Sequence, residues 1–214
     1  MSNRLLSSIK SKRKRILMER RAILKGSNYV LGLLSGVTLI DGSKREDIIV
    51  GDNLCFYGNL TSQNGGKIKI GDYCRIGLHT QINSVESIEV GNYVTMADYI
   101  VVTDNNNHPI NPDFRKFMRM KMDKSGTNLW KHSDHRPVII EDNVWIGTRV
   151  RIHKGVTIGE NSIVAACSIV TKDIPPNCIA AGNPAIVVKE NIERVPPPNS
   201  CASFNNENRW ASKL

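Results

Sequence analysis

Among the 214 residues there are five cysteines but no Cys-x-x-Cys pair. Cys55, Cys74, Cys167, Cys178 and Cys201 are odd in number and widely spaced, which argues against a zinc knuckle and against a disulfide framework. No apolar run reaches the roughly 18 residues that would span a bilayer. The N-terminus is positively charged but has no apolar stretch followed by a small-residue cleavage site. A reducing cytoplasm is the expected setting. Charge of one sign is also lacking over most of the chain. The formal net charge is +9, yet residues 1–25 carry nine Lys or Arg against one acid, which is +8. The remainder carries 20 basic and 19 acidic side chains, which is +1. A nearly neutral body argues against a fold that grips nucleic acid over its whole surface. With 40% hydrophobic residues the chain is not a disordered one, and it is long enough for one domain with a real core.

What is present is a period of six. Aliphatic residues recur at Ile140, Ile146, Ile152, Ile158, Val164 and Val170. An earlier block runs Ile70, Ile76, Ile82 and Ile88, then shifts by two to Val90, Met96 and Val102. Val50 and Phe56 place the start of the array near residue 48. Six fits neither a helix nor a continuous strand. It fits short strands joined by regular corners, each strand aiming one aliphatic side chain inward. Three strands make a triangular coil of about 18 residues, and stacked coils pair strands at roughly 4.8 Å. Each coil is stable only with its neighbours. The small residue after many of the aliphatics, such as Gly147 or Gly159, is expected to make the corner by taking φ > 0. The fold class expected is all-β, a parallel β-helix over residues 46–189.

Three regions leave the register. Residues 1–45 read as a basic amphipathic segment, with Leu5, Ile9, Ile16 and Ile23 on one helical face and Leu6, Leu17 and Leu24 extending it. Two readings of residues 1–25 stay open: a helix lying on the inner face of an anionic membrane, or one packed on the body with its charges solvated. Residues 103–137 form a long polar and basic loop with Phe114, Phe117, Met118, Met120, Met122 and Trp130 interspersed. Loops of that length inside a compact domain usually serve function. Residues 190–214 are a tail containing Pro196-Pro197-Pro198.

His108, in Asn105-Asn106-Asn107-His108-Pro109, stands where the loop begins. An imidazole there can accept a proton from an attacking hydroxyl, or it can be a loop histidine bonded to backbone. His79, His132, His135 and His153 read as structural or solvent-facing.

The runs Ile139-Ile140-Glu141-Asp142-Asn143-Val144-Trp145-Ile146-Gly147, Lys154-Gly155-Val156-Thr157-Ile158-Gly159 and Ser168-Ile169-Val170-Thr171-Lys172-Asp173-Ile174-Pro175-Pro176, then Ala181-Gly182-Asn183-Pro184, resemble the hexapeptide-repeat acetyltransferases. The resemblance covers roughly residues 70–190 and includes the galactoside and maltose, xenobiotic and polysaccharide O-acetyltransferases. It implies a left-handed parallel β-helix, a homotrimer with active sites between subunits, and acetyl-CoA as co-substrate with no metal. It implies His108 as general base toward a sugar hydroxyl, with Asn83 as the candidate residue that positions acceptor and base. Thr148 and Ala166 match the backbone positions along pantetheine. Thr171, Lys172 and Lys189 match positions near the CoA phosphates, and Trp145 matches an indole walling the reaction site. The expected role is sugar O-acetylation in surface polysaccharide, O-antigen or lipid-linked glycan synthesis. The alternative is a chloramphenicol-type xenobiotic acetyltransferase. A different class, a zinc-dependent γ-carbonic-anhydrase-like enzyme, would need three of the five histidines as ligands. Two features depart from the family's pattern: Cys167 stands where Gly is common, and the loop is longer than in the maltose and galactoside enzymes.

Overall fold

The computed structural model describes residues 12–120 and 130–197. Three sheets wind around one axis. The first face holds β1 (Ile23–Leu24), β4 (Ile48–Val50), β7 (Lys67–Ile70), β10 (Ser87–Val90), β13 (Val138–Ile140) and β16 (Thr157–Ile158). The second holds β2 (Tyr29–Leu31), β5 (Leu54–Phe56), β8 (Arg75–Ile76), β11 (Thr95–Met96), β14 (Trp145–Ile146), β17 (Ile163–Val164) and β19 (Ile179–Gly182), and antiparallel β20 (Ala185–Lys189) closes its upper edge. The third holds β3 (Gly36–Ile40), β6 (Asn59–Gln63), β9 (Gln81–Ser84), β12 (Val101–Thr103), β15 (Arg151–Ile152) and β18 (Ile169–Val170). This is a left-handed parallel β-helix, as the resemblance implies.

The hexad aliphatics are the rungs of its core. Ile70 pairs with Val90, Val90 with Ile140, and Ile140 with Ile158 up the first face. Ile76, Met96, Ile146 and Val164 stack on the second face, and Ile82, Val102, Ile152 and Val170 on the third. All are buried. Val90 and Ile140 are adjacent rungs although the long loop lies between them in sequence, so the excursion leaves the stack unbroken. The shift by two after Ile88 also has a structural origin. Third-face Ile82 and first-face Val90 are joined by a corner two residues longer than the one between Ile152 and Ile158, and the extra length lets Ser84 turn inward, where it is fully buried.

The coils extend further toward the N-terminus than the hexads suggest. Leu24 pairs with Val50, Leu31 with Phe56, and Val37 with Leu60, so residues 23–40 form a first coil. Ile23 and Leu24, placed on a helical face by their spacing, are strand residues here. A helix, α1, covers residues 12–19, and Met18 with Ala22 closes the open end of the core. Ile16 and Leu17 are exposed, and Leu5, Leu6 and Ile9 lie outside the described residues. A terminal coil of a β-helix has backbone carbonyls with no next strand to pair with. Basic side chains meet several of them: Lys14 Nζ donates to Leu33 O at 3.0 Å, Arg15 to Ser27 O at 3.0 Å and Arg21 to Val37 O at 2.8 Å. These bonds favour the packed reading for residues 12–21. No described helix is long and apolar enough to cross a membrane.

The glycines that follow the inward aliphatics, such as Gly147 and Gly159, do not take positive φ, although Gly42, Gly65 and Gly155 at the third corner do. Left-handed positions are held by Asn53, Tyr73, Tyr93, Asn143, Asn161 and Asn177 at the first corner, and by His79, Tyr99, Arg149 and Cys167 at the second. Side-chain ladders run along these columns: Tyr73 stacks on Tyr93 at 5.3 Å, and Asn143 Nδ2 donates to Asn161 Oδ1 at 2.9 Å. Gly147 is glycine for a different reason. A Cβ there would stand 2.6 Å from the backbone nitrogen of Ala166 in the coil above. Gly147→Ala should therefore force the coils apart and lower stability by about 1–3 kcal/mol, the usual cost of overpacking, measurable by thermal unfolding. An unchanged midpoint would show that the coils yield freely.

Candidate active site

The third corner, between the third and first faces, is where the loop leaves, and its root is tightly held. Asp104 follows β12 directly and is fully buried. Its carboxylate accepts from Ser84 Oγ at 2.7 Å, Val85 N at 3.0 Å, Glu86 N at 2.8 Å and Asn105 Nδ2 at 3.0 Å. The returning strand is pinned to the same place. Arg136 N donates to Asp104 O at 2.9 Å, Asn105 pairs with His135, and His135 Nδ1 lies 2.8 Å from Glu86 Oε2. Lys154 ties Asp134 to the coil above at 2.6 Å.

From this root the chain turns to present His108. Asn107 N donates to Asn105 Oδ1 at 2.9 Å, Asn107 takes φ +62, and His108 N donates to Asn106 O at 2.7 Å. The His108 ring is exposed and makes no hydrogen bond among the described residues. It borders a cleft whose floor is the outer side of the third face: Gln81 and Asn83 from β9, Val101 and Thr103 from β12, and Arg151 from β15. Asn107 and Trp130 complete the walls. His108 and Asn83 are thus brought together, because Asn83 pairs with Thr103 one rung below the loop root.

Trp130 is set in place by the loop's own short turn. Its N–H donates to Gln63 Oε1 at 2.8 Å, and Ser133 Oγ donates to its carbonyl at 2.6 Å. Between His108 and that turn runs α2 (Pro112–Met120), begun by Asn111 capping Phe114 N at 2.8 Å and by Pro112 at the first helical position. Phe114 packs edge-on to His132 at 5.7 Å. Trp130, Arg151, Gln81 and Thr103 are cleft residues that sequence reasoning missed. For Arg151 and Gln81 a signal exists, since each precedes an inward hexad residue and must face outward. For Trp130 there was none beyond an aromatic in a long loop.

The other expected site residues lie elsewhere on the single chain. Trp145 is on the outer side of the second face, between Thr95 and Ile163, and is 53% exposed. Thr148 and Ala166 are exposed at the second corner in successive coils, and Thr148 Oγ1 donates to Asp98 O at 2.8 Å. Lys189 is exposed on β20, paired with Ile179. Thr171 and Lys172 are exposed at the third corner two coils above the loop root, roughly 10 Å along the axis. Lys172 and Lys189 have no ion pair among the described residues. One chain therefore does not bring Trp145 to His108. The histidines are likewise dispersed: His79 stacks on Tyr99 at 4.9 Å, and among the described residues no three His, Cys, Asp or Glu side chains converge within the chain.

Residues 137–172 match the family model described as bacterial transferase hexapeptide (six repeats). The galactoside O-acetyltransferase of Escherichia coli K12 is 34% identical over 157 residues, covering 71% of this chain and 70% of that one. The galactoside O-acetyltransferase of Lactococcus lactis is 36% identical over 135 residues, covering 63% of this chain and 57% of that one. Among solved structures, an N-acyltransferase from Bacillus cereus in complex with dTDP-4-amino-4,6-dideoxyglucose and coenzyme A is similar in fold, with a TM-score of 0.60 and 19% identity over 92% of this chain and 94% of that chain.

Proposed function

Because the chain belongs to the hexapeptide-repeat acetyltransferases, we propose that it transfers acetyl from acetyl-CoA to a hydroxyl of a sugar, in the synthesis of surface polysaccharide, O-antigen or another lipid-linked glycan. One observation carries this reading: His108, its ring free of hydrogen bonds among the described residues, shares a cleft with Asn83. A general base needs an unengaged lone pair within reach of the proton it removes. The acceptor hydroxyl lies against His108 and gives up its proton as its oxygen attacks the thioester carbon. The tetrahedral oxyanion is held by N–H donors and collapses to the acetyl ester. The thiolate of CoA leaves and takes the proton back from the imidazolium. Asn83 orients the acceptor.

Acetyl-CoA lies along the second corner past Thr148 and Ala166, with Trp145 walling the thioester and Thr171, Lys172 and Lys189 toward the phosphates. Since Trp145 and His108 face different sides of one chain, the site is completed by a neighbouring copy, and a homotrimer is the assembly that supplies one. An ammonium such as Lys172 suits a phosphate as a point charge. Lys172→Ala should raise KM for acetyl-CoA by about tenfold with kcat little changed, and should matter less for a dephospho analogue. Equal effects on both co-substrates would remove Lys172 from the phosphate site.

The experiment is acetyl transfer from acetyl-CoA to a panel of glycans and of hydroxyl-bearing antibiotics. Turnover on glycans is the expected result. Turnover confined to antibiotics would shift the reading to a xenobiotic enzyme, and no turnover on either would overturn it.

A further inference from the structure

Among the described residues, the cleft beside His108 holds one permanent charge. Of its eight lining residues, Gln81, Asn83, Thr103 and Asn107 are neutral and polar, Val101 and Trp130 are largely apolar, and His108 is the proposed base. The eighth is Arg151, and no carboxylate lines the cleft with it. Arg151 occupies the outward position of β15, flanked across the sheet by Val101 and Ile169. The same column continues below through Gln81, Asn59 and Gly36, so Arg151 is its single charged member. Its side chain has no ion pair and no hydrogen bond among the described residues. By contrast Arg15 pairs with Glu19 and Arg21 donates to Val37 O.

The surroundings reinforce the positive field. The described residues of 103–136 carry five Lys or Arg against three Asp. Two of those acids are already engaged, Asp104 in its buried network and Asp134 with Lys154. His153, in the coil above the loop root, has its pKa held down by burial first, then by the charges of Arg151 and Lys154. So the guanidinium's field reaches into this corner.

We infer that Arg151 receives an anionic group of the acceptor, so that the sugar acetylated carries a carboxylate or a phosphate. This rests on the acetyl-transfer reading above and adds the substrate class. A guanidinium offers a planar fork of donors that fits either oxyanion in a bidentate pair. The phosphates of CoA do not fill this role, because the pantetheine arm holds them far from the thioester, and it is the thioester that must meet the hydroxyl at His108. Trp130, on the cleft wall, gives the pyranose ring an apolar surface to stack on while the anion is held.

Steady-state kinetics of the full-length protein and of Arg151→Gln would test this, with methyl hexuronosides, hexose phosphates and the corresponding neutral methyl hexosides as acceptors. Wild type should prefer one of the acidic series, and which one identifies the anion. In Arg151→Gln the KM for that acceptor should rise about 10- to 100-fold, the size of a lost charge-assisted pair. KM for acetyl-CoA and turnover of neutral acceptors should hold, and Arg151→Lys should recover part of the loss. His153, followed by NMR, should titrate at higher pH in Arg151→Gln, since removing a nearby cation favours the imidazolium. Wild-type turnover that is equal on acidic and neutral sugars would overturn the inference while leaving acetyl transfer intact. So would a loss in Arg151→Gln that is equal on both series. Absence of transfer to every acceptor would instead overturn the acetyl-transfer reading itself.

Discussion

Replacing His108 by alanine should lower kcat by about 10²–10⁴-fold, the usual range for a lost general base, while KM for acetyl-CoA stays near its wild-type value. The two effects separate because of where the side chain stands. Its ring is exposed and bonded to nothing among the described residues, so nothing in the fold depends on it. Its placement comes from contacts that alanine keeps: Asn107 N donates to Asn105 Oδ1, and His108 N donates to Asn106 O. Stability should accordingly change by less than about 0.5 kcal/mol, the range for surface substitutions away from such features. A loss of activity accompanied by a large drop in thermal midpoint would mean that His108 is a structural residue. Full retention of kcat would remove it from the chemistry altogether.

Asp104→Ala is expected to be the most damaging single change to the fold near the site. Removing a fully buried carboxylate strands the N–H groups of Val85 and Glu86 and the Asn105 amide N–H, while the Ser84 hydroxyl keeps the Lys67 carbonyl as its acceptor. Each buried polar group left without a partner costs about 1–3 kcal/mol, and water entering the gap recovers part of it. A net loss of about 3–5 kcal/mol is expected, which for a chain of this size lowers the melting temperature by about 10 °C. Activity should fall as well. The Asp104 carboxylate holds the outgoing end of the loop through Asn105, while the returning end is bonded through Arg136 N to the backbone carbonyl that alanine keeps. Misplacing a reacting group by about 1 Å can cost roughly 10²-fold. Calorimetry and kcat on the same preparation check both parts. A variant that melts like wild type would show that the carboxylate is dispensable to the loop root.

Much of the fold was legible because one inward aliphatic per strand leaves a period that neither helices nor sandwiches sustain. The hexads located the rungs from Val50 to Val170; Asn83 came from the family resemblance, and its pairing with Thr103 sets it in the cleft beside His108. What escaped reading did so for identifiable reasons. In the first coil Leu24, Leu31 and Val37 are spaced seven and six apart, and their neighbours also fit a helical face, so local periodicity favoured the wrong element until the pairing with Val50, Phe56 and Leu60 decided it. Gly147 was expected for its tolerance of positive φ, but what requires it is the closeness of Ala166 in the next coil, a contact invisible to sequence spacing. Trp130 reaches the cleft only because Gln63, far away in sequence, accepts from its backbone. That kind of long-range bond has no local signature.

The most direct test of the account is a crystal structure of the protein with CoA and an acceptor sugar bound. Site formation between copies predicts the CoA sulfur in the cleft bordered by His108 of one chain and Trp145 of its neighbour. The acceptor hydroxyl should lie within about 3 Å of a His108 ring nitrogen. A CoA sulfur lodged away from every His108, or an acceptor whose hydroxyls face away from that ring, would contradict it.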